Sequence, residues 1–267
     1  MARLAVAATA PFGADVLQRL AKRHEVAVLL TRPDAPRGRG RKVMPSPAKV
    51  VAEREGIPVL QPPRLGSDVC IHSHHVDAVV VAAYGLLIPD ALLDRHLWLN
   101  VHPSLLPRWR GAAPVERAIM SGDTETGVTI HRTVEALDAG PIAAQEGFAI
   151  AADDDAGVVF ARSAAIAATL LDEVLPTPTF EPQREDGVTY AEKITAADRE
   201  LDWTRPPQEL HNRVRALSPH IGARGVVDGR RVLVWRTRVG DGRLELLEVQ
   251  PEGRRRMTYE EFRRGLR

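Results

Sequence analysis

An asparagine and a histidine two residues apart close a short apolar segment of this sequence. The segment reads Trp98-Leu99-Asn100-Val101-His102 and Pro103 follows it directly. Side chains two residues apart point to the same side of a β-strand, and proline ends a strand because it lacks an N–H and fixes φ. We therefore expect Asn100 and His102 to lie together at the carboxyl end of a strand, where open α/β sheets bind ligands. An amide that can hold an oxyanion, beside an imidazole that can move a proton, suits acyl-group transfer.

Taken alone, the Asn-x-His pattern is more typical of side chains that satisfy nearby backbone groups. A second polar candidate, Asp138, lies in the run Leu137-Asp138-Ala139-Gly140 after an apolar strand. An aspartate before a small residue and a glycine is ordinarily a turn residue. The surrounding sequence has to decide between these structural interpretations and a catalytic one.

The elements that position these residues follow an α/β pattern. A buried strand at 4–8, an amphipathic helix at 14–23 and a second buried strand at 26–30 form a βαβ unit, which implies a parallel sheet. No G-x-G-x-x-G motif lies in the first turn, which argues against a dinucleotide-dependent oxidoreductase. The nearly all-apolar segment 76–84 predicts a central parallel strand.

Three regions are predicted along the chain. Residues 1–180 should form a catalytic domain with a Rossmann-like, mostly parallel sheet, and residues 181–200, which follow a proline-rich acidic stretch, a linker. Residues 201–267 should form a small, mainly β domain. Its strands are expected at 223–227, 231–234 and 244–249, with a closing helix at 257–266.

Composition excludes several classes of protein. The chain has 267 residues and a net charge of +1, and Cys70 is its one cysteine, so neither an intrachain disulfide nor a thiolate metal cluster can form. No apolar run reaches the roughly 20 residues that a membrane-spanning helix needs. We expect a cytoplasmic protein, with monomer favoured and no metal.

Charge is segregated along the chain. The segment Arg32–Arg54 holds seven basic residues against two acidic ones, and the segment Arg199–Arg267 holds sixteen against ten. The first includes a loop with prolines, glycines and four basic side chains, Arg37, Arg39, Arg41 and Lys42. Such a loop is either a solvated surface segment or a mobile basic arm that closes on phosphates, and the sequence alone leaves both open.

The run from Asn100 to Pro114, Asn-Val-His-Pro-Ser-Leu-Leu-Pro-Arg-Trp-Arg-Gly-Ala-Ala-Pro, resembles the signature of the folate-dependent formyltransferases. The run Leu137-Asp138-Ala139-Gly140 resembles the second signature of that family. The basic loop and the runs 190–194 and 247–253 are most similar to members that act on methionyl initiator tRNA. The resemblance covers nearly the whole chain.

The resemblance implies a reaction and a set of site residues. The formyl group of 10-formyltetrahydrofolate would move to the α-amino group of methionine on initiator tRNA. Asn100 would hold the oxyanion, His102 would transfer the proton, and Asp138 would orient and tune His102 as in a Ser-His-Asp triad. The folate would lie against seven residues, Leu86, Leu87, Ile88, Ser104, Leu105, Leu106 and Pro107. The tRNA would be held by Arg37, Arg39, Arg41 and Lys42.

The C-terminal domain of this family resembles an OB-type barrel, and here it is shortened. Residues 235–238 run almost directly into Gly240-Asp241-Gly242, so a strand or two should be missing from a five-stranded barrel. This shortening keeps three alternatives open: a formyltransferase that acts on an amino sugar nucleotide, a formyltetrahydrofolate hydrolase, and a tRNA- or nucleotide-binding protein that has no activity.

Overall fold

The structure, a computed structural model, describes residues 1–37, 40, 42–66 and 71–266. The strands are β1 (Arg3–Ala8), β2 (Glu25–Leu30), β3 (Ala35–Arg37), β4 (Lys42–Met44), β5 (Val59–Leu60), β6 (Ala78–Ala82), β7 (Trp98–His102), β8 (Arg110–Gly111), β9 (Glu125–Arg132), β10 (Ile142–Ala149), β11 (Tyr190–Ala191), β12 (Ala223–Val227), β13 (Arg230–Gly240), β14 (Arg243–Pro251) and β15 (Met257–Thr258). The helices are α1 (Pro11–Leu20), α2 (Pro47–Arg54), α3 (Asp90–Leu93), α4 (Pro114–Met120), α5 (Ala156–Val174), α6 (Pro207–Leu217) and α7 (Tyr259–Arg264).

Seven strands form one sheet in the order β10-β9-β7-β6-β1-β2-β5. The neighbours from β7 to β5 pair in parallel, and β9 pairs antiparallel with β7. The five residues of β6 are all buried, as expected of a central strand covered on both faces. The predicted Rossmann-like, mostly parallel sheet is confirmed.

Contacts divide the chain into two compact units, each with its own core. The first comprises Met1–Arg110, Gly127–Glu146 and Ala161–Val188, and the second comprises Gly111–Thr126, Gly147–Phe160 and Thr189–Arg267. In the first unit, aliphatic side chains of the central strands pack with the buried ring of Trp98. Among the described residues, no helix combines the length and apolarity needed to cross a bilayer.

The second unit contains a four-stranded antiparallel sheet in the order β12-β13-β14-β15. The expected small β domain is confirmed. The expected helix at 257–266 is wrong at its start, because Met257 and Thr258 pair with β14 as strand β15. The Thr258 side chain accepts a hydrogen bond from the Glu261 N–H in a capping box, so α7 begins only at Tyr259.

The basic loop is flanked by a two-stranded ribbon that the sequence reading did not predict. Strands β3 and β4 pair antiparallel, with Ala35 opposite Met44 and Arg37 opposite Lys42. Gly40 has a φ of +87°, a conformation that glycine adopts without steric cost and that suits a tight reversal. The side chains of Val43 and Met44 on β4 are exposed.

Candidate active site

Three polar side chains that the sequence reading singled out meet beyond the carboxyl end of β6. Asn100 and His102 are on β7, which lies between β6 and β9. Asn100 Nδ2 donates to Asp138 Oδ1 at 3.0 Å, and His102 Nδ1 lies 3.6 Å from Asp138 Oδ2. The two-residue period of the strand thus brings Asn100 and His102 to the same carboxylate.

The ring of His102 is buried, with 4% of its surface exposed. Its Nε2 lies 2.8 Å from the carbonyl oxygen of Trp109. A carbonyl oxygen can only accept, so Nε2 carries the hydrogen, and in the neutral ring Nδ1 has the lone pair. The separation of 3.6 Å from Asp138 is too long for a direct hydrogen bond. The carbonyl of Trp109, rather than Asp138, therefore orients the neutral ring.

Burial sets the protonation state of His102. Desolvation lowers its pKa below the usual 6.5, and the opposing influences of Asp138 and the Trp109 carbonyl only partly counteract this effect. A second imidazole, that of His131, also lowers the pKa of His102. At neutral pH His102 is therefore an uncharged base, and a proton gained at Nδ1 would form an ion pair with Asp138.

His131 is a site residue that the sequence reading missed. It lies on β9 directly opposite Asn100 and is 1% exposed. Its Nδ1 lies 3.0 Å from the carbonyl oxygen of Arg132, so Nδ1 carries the hydrogen and Nε2 accepts from Asn100 Nδ2 at 3.0 Å. Both amide hydrogens of Asn100 are thus engaged, one by His131 and one by Asp138. A histidine inside an apolar strand was the one signal in the sequence that could have drawn attention to it.

The loop after β7 is attached to the sheet by Thr129, which lies opposite His102 on β9. Its fully buried hydroxyl donates to the Ser104 carbonyl at 2.7 Å and accepts from the Leu106 N–H at 3.1 Å. The side chain of Gln145 donates to the same hydroxyl and to the Leu106 carbonyl. One threonine therefore fixes the path of the chain immediately after the catalytic candidates.

The residues expected to contact folate differ in accessibility. Leu87 is 82% exposed, whereas Leu86 and Ile88 pack against the core of the first unit. In the second stretch, the side chains of Ser104 and Leu106 are buried, and Leu105 and Pro107 are half-buried. The Ser104 hydroxyl donates to the Arg108 carbonyl at 2.7 Å, so it has a structural hydrogen bond within the loop.

The residues expected to contact tRNA fall mostly outside the described part of the chain. Lys42 is exposed at the start of β4. The backbone of Arg37 ends β3, and Arg39 and Arg41 lie outside the described residues. Within the described ranges, no group of three or more His, Cys, Asp or Glu side chains is arranged to hold a metal ion.

Comparison with known families matches both halves of the sequence. The formyl transferase family matches residues 2–175, and the formyl transferase C-terminal domain family matches residues 193–242. The chain is 42% identical to the methionyl-tRNA formyltransferase of Methylobacterium nodulans, over 91% of this chain and 89% of that protein. It is 43% identical to that of Xanthomonas axonopodis pv. citri, over 94% of this chain and 84% of that protein.

Solved structures share the fold at low sequence identity. The methionyl-tRNA formyltransferase from Clostridium thermocellum superposes with a TM-score of 0.68 at 13% identity, covering 94% of this chain and 99% of that one. An N-formyltransferase from Helicobacter canadensis, in complex with folinic acid and dTDP-3-aminofucose, gives 0.66 at 17% identity, with coverages of 90% and 89%. At these identities the comparison concerns the fold alone.

Proposed function

The chain belongs to the formyl transferase family, and we propose that it transfers the formyl group of 10-formyltetrahydrofolate to the α-amino group of methionine on initiator tRNA. The curated relatives with this activity match nearly the whole chain at about two identical residues in five. The observation that carries the chemistry is a buried, neutral His102 that faces Asp138 beside Asn100. Because the acceptor belongs to translation, we place the reaction in the cytoplasm.

In this proposal His102 removes a proton from the attacking amine. The methionyl amine must lose a proton as its nitrogen bonds to the formyl carbon, and the Nδ1 lone pair is the free basic position on His102. The resulting imidazolium is stabilised by Asp138 Oδ2, 3.6 Å away. The same proton is then available to the folate nitrogen as its bond to the formyl carbon breaks. Proton and leaving group therefore balance without a covalent enzyme intermediate.

Asn100 stabilises the negative charge that develops on the formyl oxygen. Both of its amide hydrogens are already engaged, one by a carboxylate and one by the neutral His131. An oxyanion is a stronger acceptor than a neutral imidazole nitrogen, so the N–H that faces His131 is the one we expect to move to the substrate. Removal of a donor of this kind typically costs about 10²–10³ in rate.

The donor and the tRNA are held by surfaces of different chemistry. The exposed Leu87 and the half-buried Leu86 and Ile88 offer apolar contact of the kind that a flat heterocycle takes. Lys42 and Arg37, with Arg39 and Arg41, supply positive charge for the tRNA backbone. Such contacts should weaken as salt concentration rises.

The test is transfer of labelled formyl from 10-formyltetrahydrofolate to charged initiator methionyl-tRNA. We expect transfer by the unaltered protein and its loss in His102→Ala. The matched control is His75→Asn, since His75 is exposed and precedes the opposite end of β6. Asparagine tolerates the positive φ of 48° at that position, so this variant should transfer at the normal rate.

Two results would contradict the proposal. Transfer to an amino sugar nucleotide but not to methionyl-tRNA would identify the shortened C-terminal unit as the sign of a different acceptor. Binding of tRNA without transfer to either acceptor, in protein that is folded and binds folate, would leave a binding protein.

A further inference from the structure

Gln183 lies outside both sequence signatures, yet its side chain makes four hydrogen bonds next to the active site. Its Nε2 donates to the carbonyl oxygens of Asp138 and Gly140, both at 2.8 Å. Its Oε1 accepts from Arg110, at 3.0 Å from Nε and 2.6 Å from Nη2. Both amide hydrogens and the amide oxygen are thus used.

One end of this bridge holds the turn that carries the catalytic carboxylate. Asp138 has a φ of +46°, in the left-handed region that residues other than glycine rarely adopt. Such a conformation persists where the surroundings fix it. The two bonds from Gln183 clamp the backbone on both sides of Ala139 and so restrain the turn in this conformation.

The other end of the bridge holds the segment that orients the base. Arg110 directly follows Trp109, whose carbonyl accepts the hydrogen bond from His102 Nε2. The backbone around Gln183 is itself attached to the sheet, because Glu181 and Ile142 exchange two backbone hydrogen bonds of 2.7 and 2.9 Å. Gln183 therefore links two loops from a fixed position.

We propose that Gln183 is a positioning residue that sets the separation between Asp138 and His102 during transfer. This inference rests on the proposed function, because it assigns Gln183 to the same acid–base pair. Without the bridge, the Asp138 turn and the Trp109–Arg110 segment can shift independently. A displacement of about 1 Å in such a pair can cost about 10²-fold in rate.

The first test compares Gln183→Leu and Gln183→Glu with the unaltered protein. Leucine removes all four bonds, whereas glutamate keeps an oxygen for Arg110 and loses both donors to the turn. We expect kcat to fall about 10- to 100-fold in both, with KM for donor and tRNA nearly unchanged. The control Gln208→Leu removes an amide that bonds to Asn212 in the second unit, and it should retain normal kcat.

A double-mutant cycle distinguishes positioning from general destabilisation. If Gln183 acts through Asp138, then Gln183→Leu should cost less than about 2-fold in kcat when Asp138 is already asparagine, because interacting residues are not additive. A full additional loss in that background would overturn the proposal. Should Gln183→Leu fail to fold, Gln183→Glu carries the same comparison.

A measurement without substrate separates this inference from the proposed function. The groups that face His102 are the Asp138 carboxylate, which raises its pKa, and the His131 imidazole, which lowers it. In an NMR titration of His102, we expect Gln183→Leu to lower the pKa toward the value in Asp138→Asn. An unchanged pKa in Gln183→Leu, with a clear fall in Asp138→Asn, would overturn the inference whatever the acceptor proves to be.

Discussion

Replacement of Asp138 by asparagine isolates the contribution of one charge to catalysis. The variant keeps the shape of the side chain and an oxygen that can accept from Asn100, whereas the group facing His102 Nδ1 becomes a neutral N–H donor. The N–H would stabilise the neutral base and leave the imidazolium without its counter-ion. The change therefore acts on the protonated state that forms during transfer.

The distance between the two groups gives the magnitude. Unit charges 3.6 Å apart attract by about 4–5 kcal/mol at an effective dielectric constant of about 20. That energy corresponds to a rate loss of about 10³-fold. Solvent screening is small, because the side chains of His102 and Asp138 are only 5% and 11% exposed.

The assay is single-turnover formyl transfer across a range of pH, with donor and acceptor saturating. In the unaltered protein the rate should fall on the acid side of the profile below pH 6.5, since burial lowers the pKa of His102 below that value. In Asp138→Asn the plateau should drop and the acid limb should move to lower pH, because the group that raises the pKa is gone. A folded variant with a rate within about 10-fold of normal would refute the assignment of Asp138 as counter-ion.

Three further predictions concern stability. Thr129→Val should lower the free energy of unfolding in urea by about 2–4 kcal/mol, because it leaves a buried N–H and a buried carbonyl without their partner; an unchanged urea midpoint would contradict this. The Tyr84 hydroxyl has no hydrogen-bond partner among the described residues, and burial raises its pKa from 10.0 to about 12. Tyr84→Phe should therefore add about 1 kcal/mol and abolish a loss of stability that the unaltered protein shows as pH rises from 10.0 to about 12. Arg117 holds the pKa of Asp198 well below 3.8, so this pair stabilises the fold above pH 3.8 and loses that effect as the pH falls. Acid unfolding should be less steep in Asp198→Asn, and identical acid profiles would show that the pair contributes nothing.

The sequence by itself determined the strand pattern and the three principal site residues. Asn100 and His102 could be predicted to lie together because the two-residue period of a strand and the stop imposed by Pro103 are local properties. The order of apolar segments also predicted the mostly parallel sheet. Asp138 required more than local pattern, since a turn aspartate is ordinary, and its role was suggested by resemblance to a family.

Only the tertiary structure decided how these residues are connected. The bond between Asn100 and His131 depends on the register of β7 against β9, which the packing of the whole sheet sets. The bridge from Gln183 to Asp138 joins residues 45 positions apart, through a segment that composition alone marked as a linker. The orientation of His102 by the Trp109 carbonyl, in place of the triad arrangement expected for Asp138, follows from a fold of the loop that no periodicity encodes. These contacts are long-range or depend on loop conformation, and the physical forces that fix them act between elements rather than along the chain.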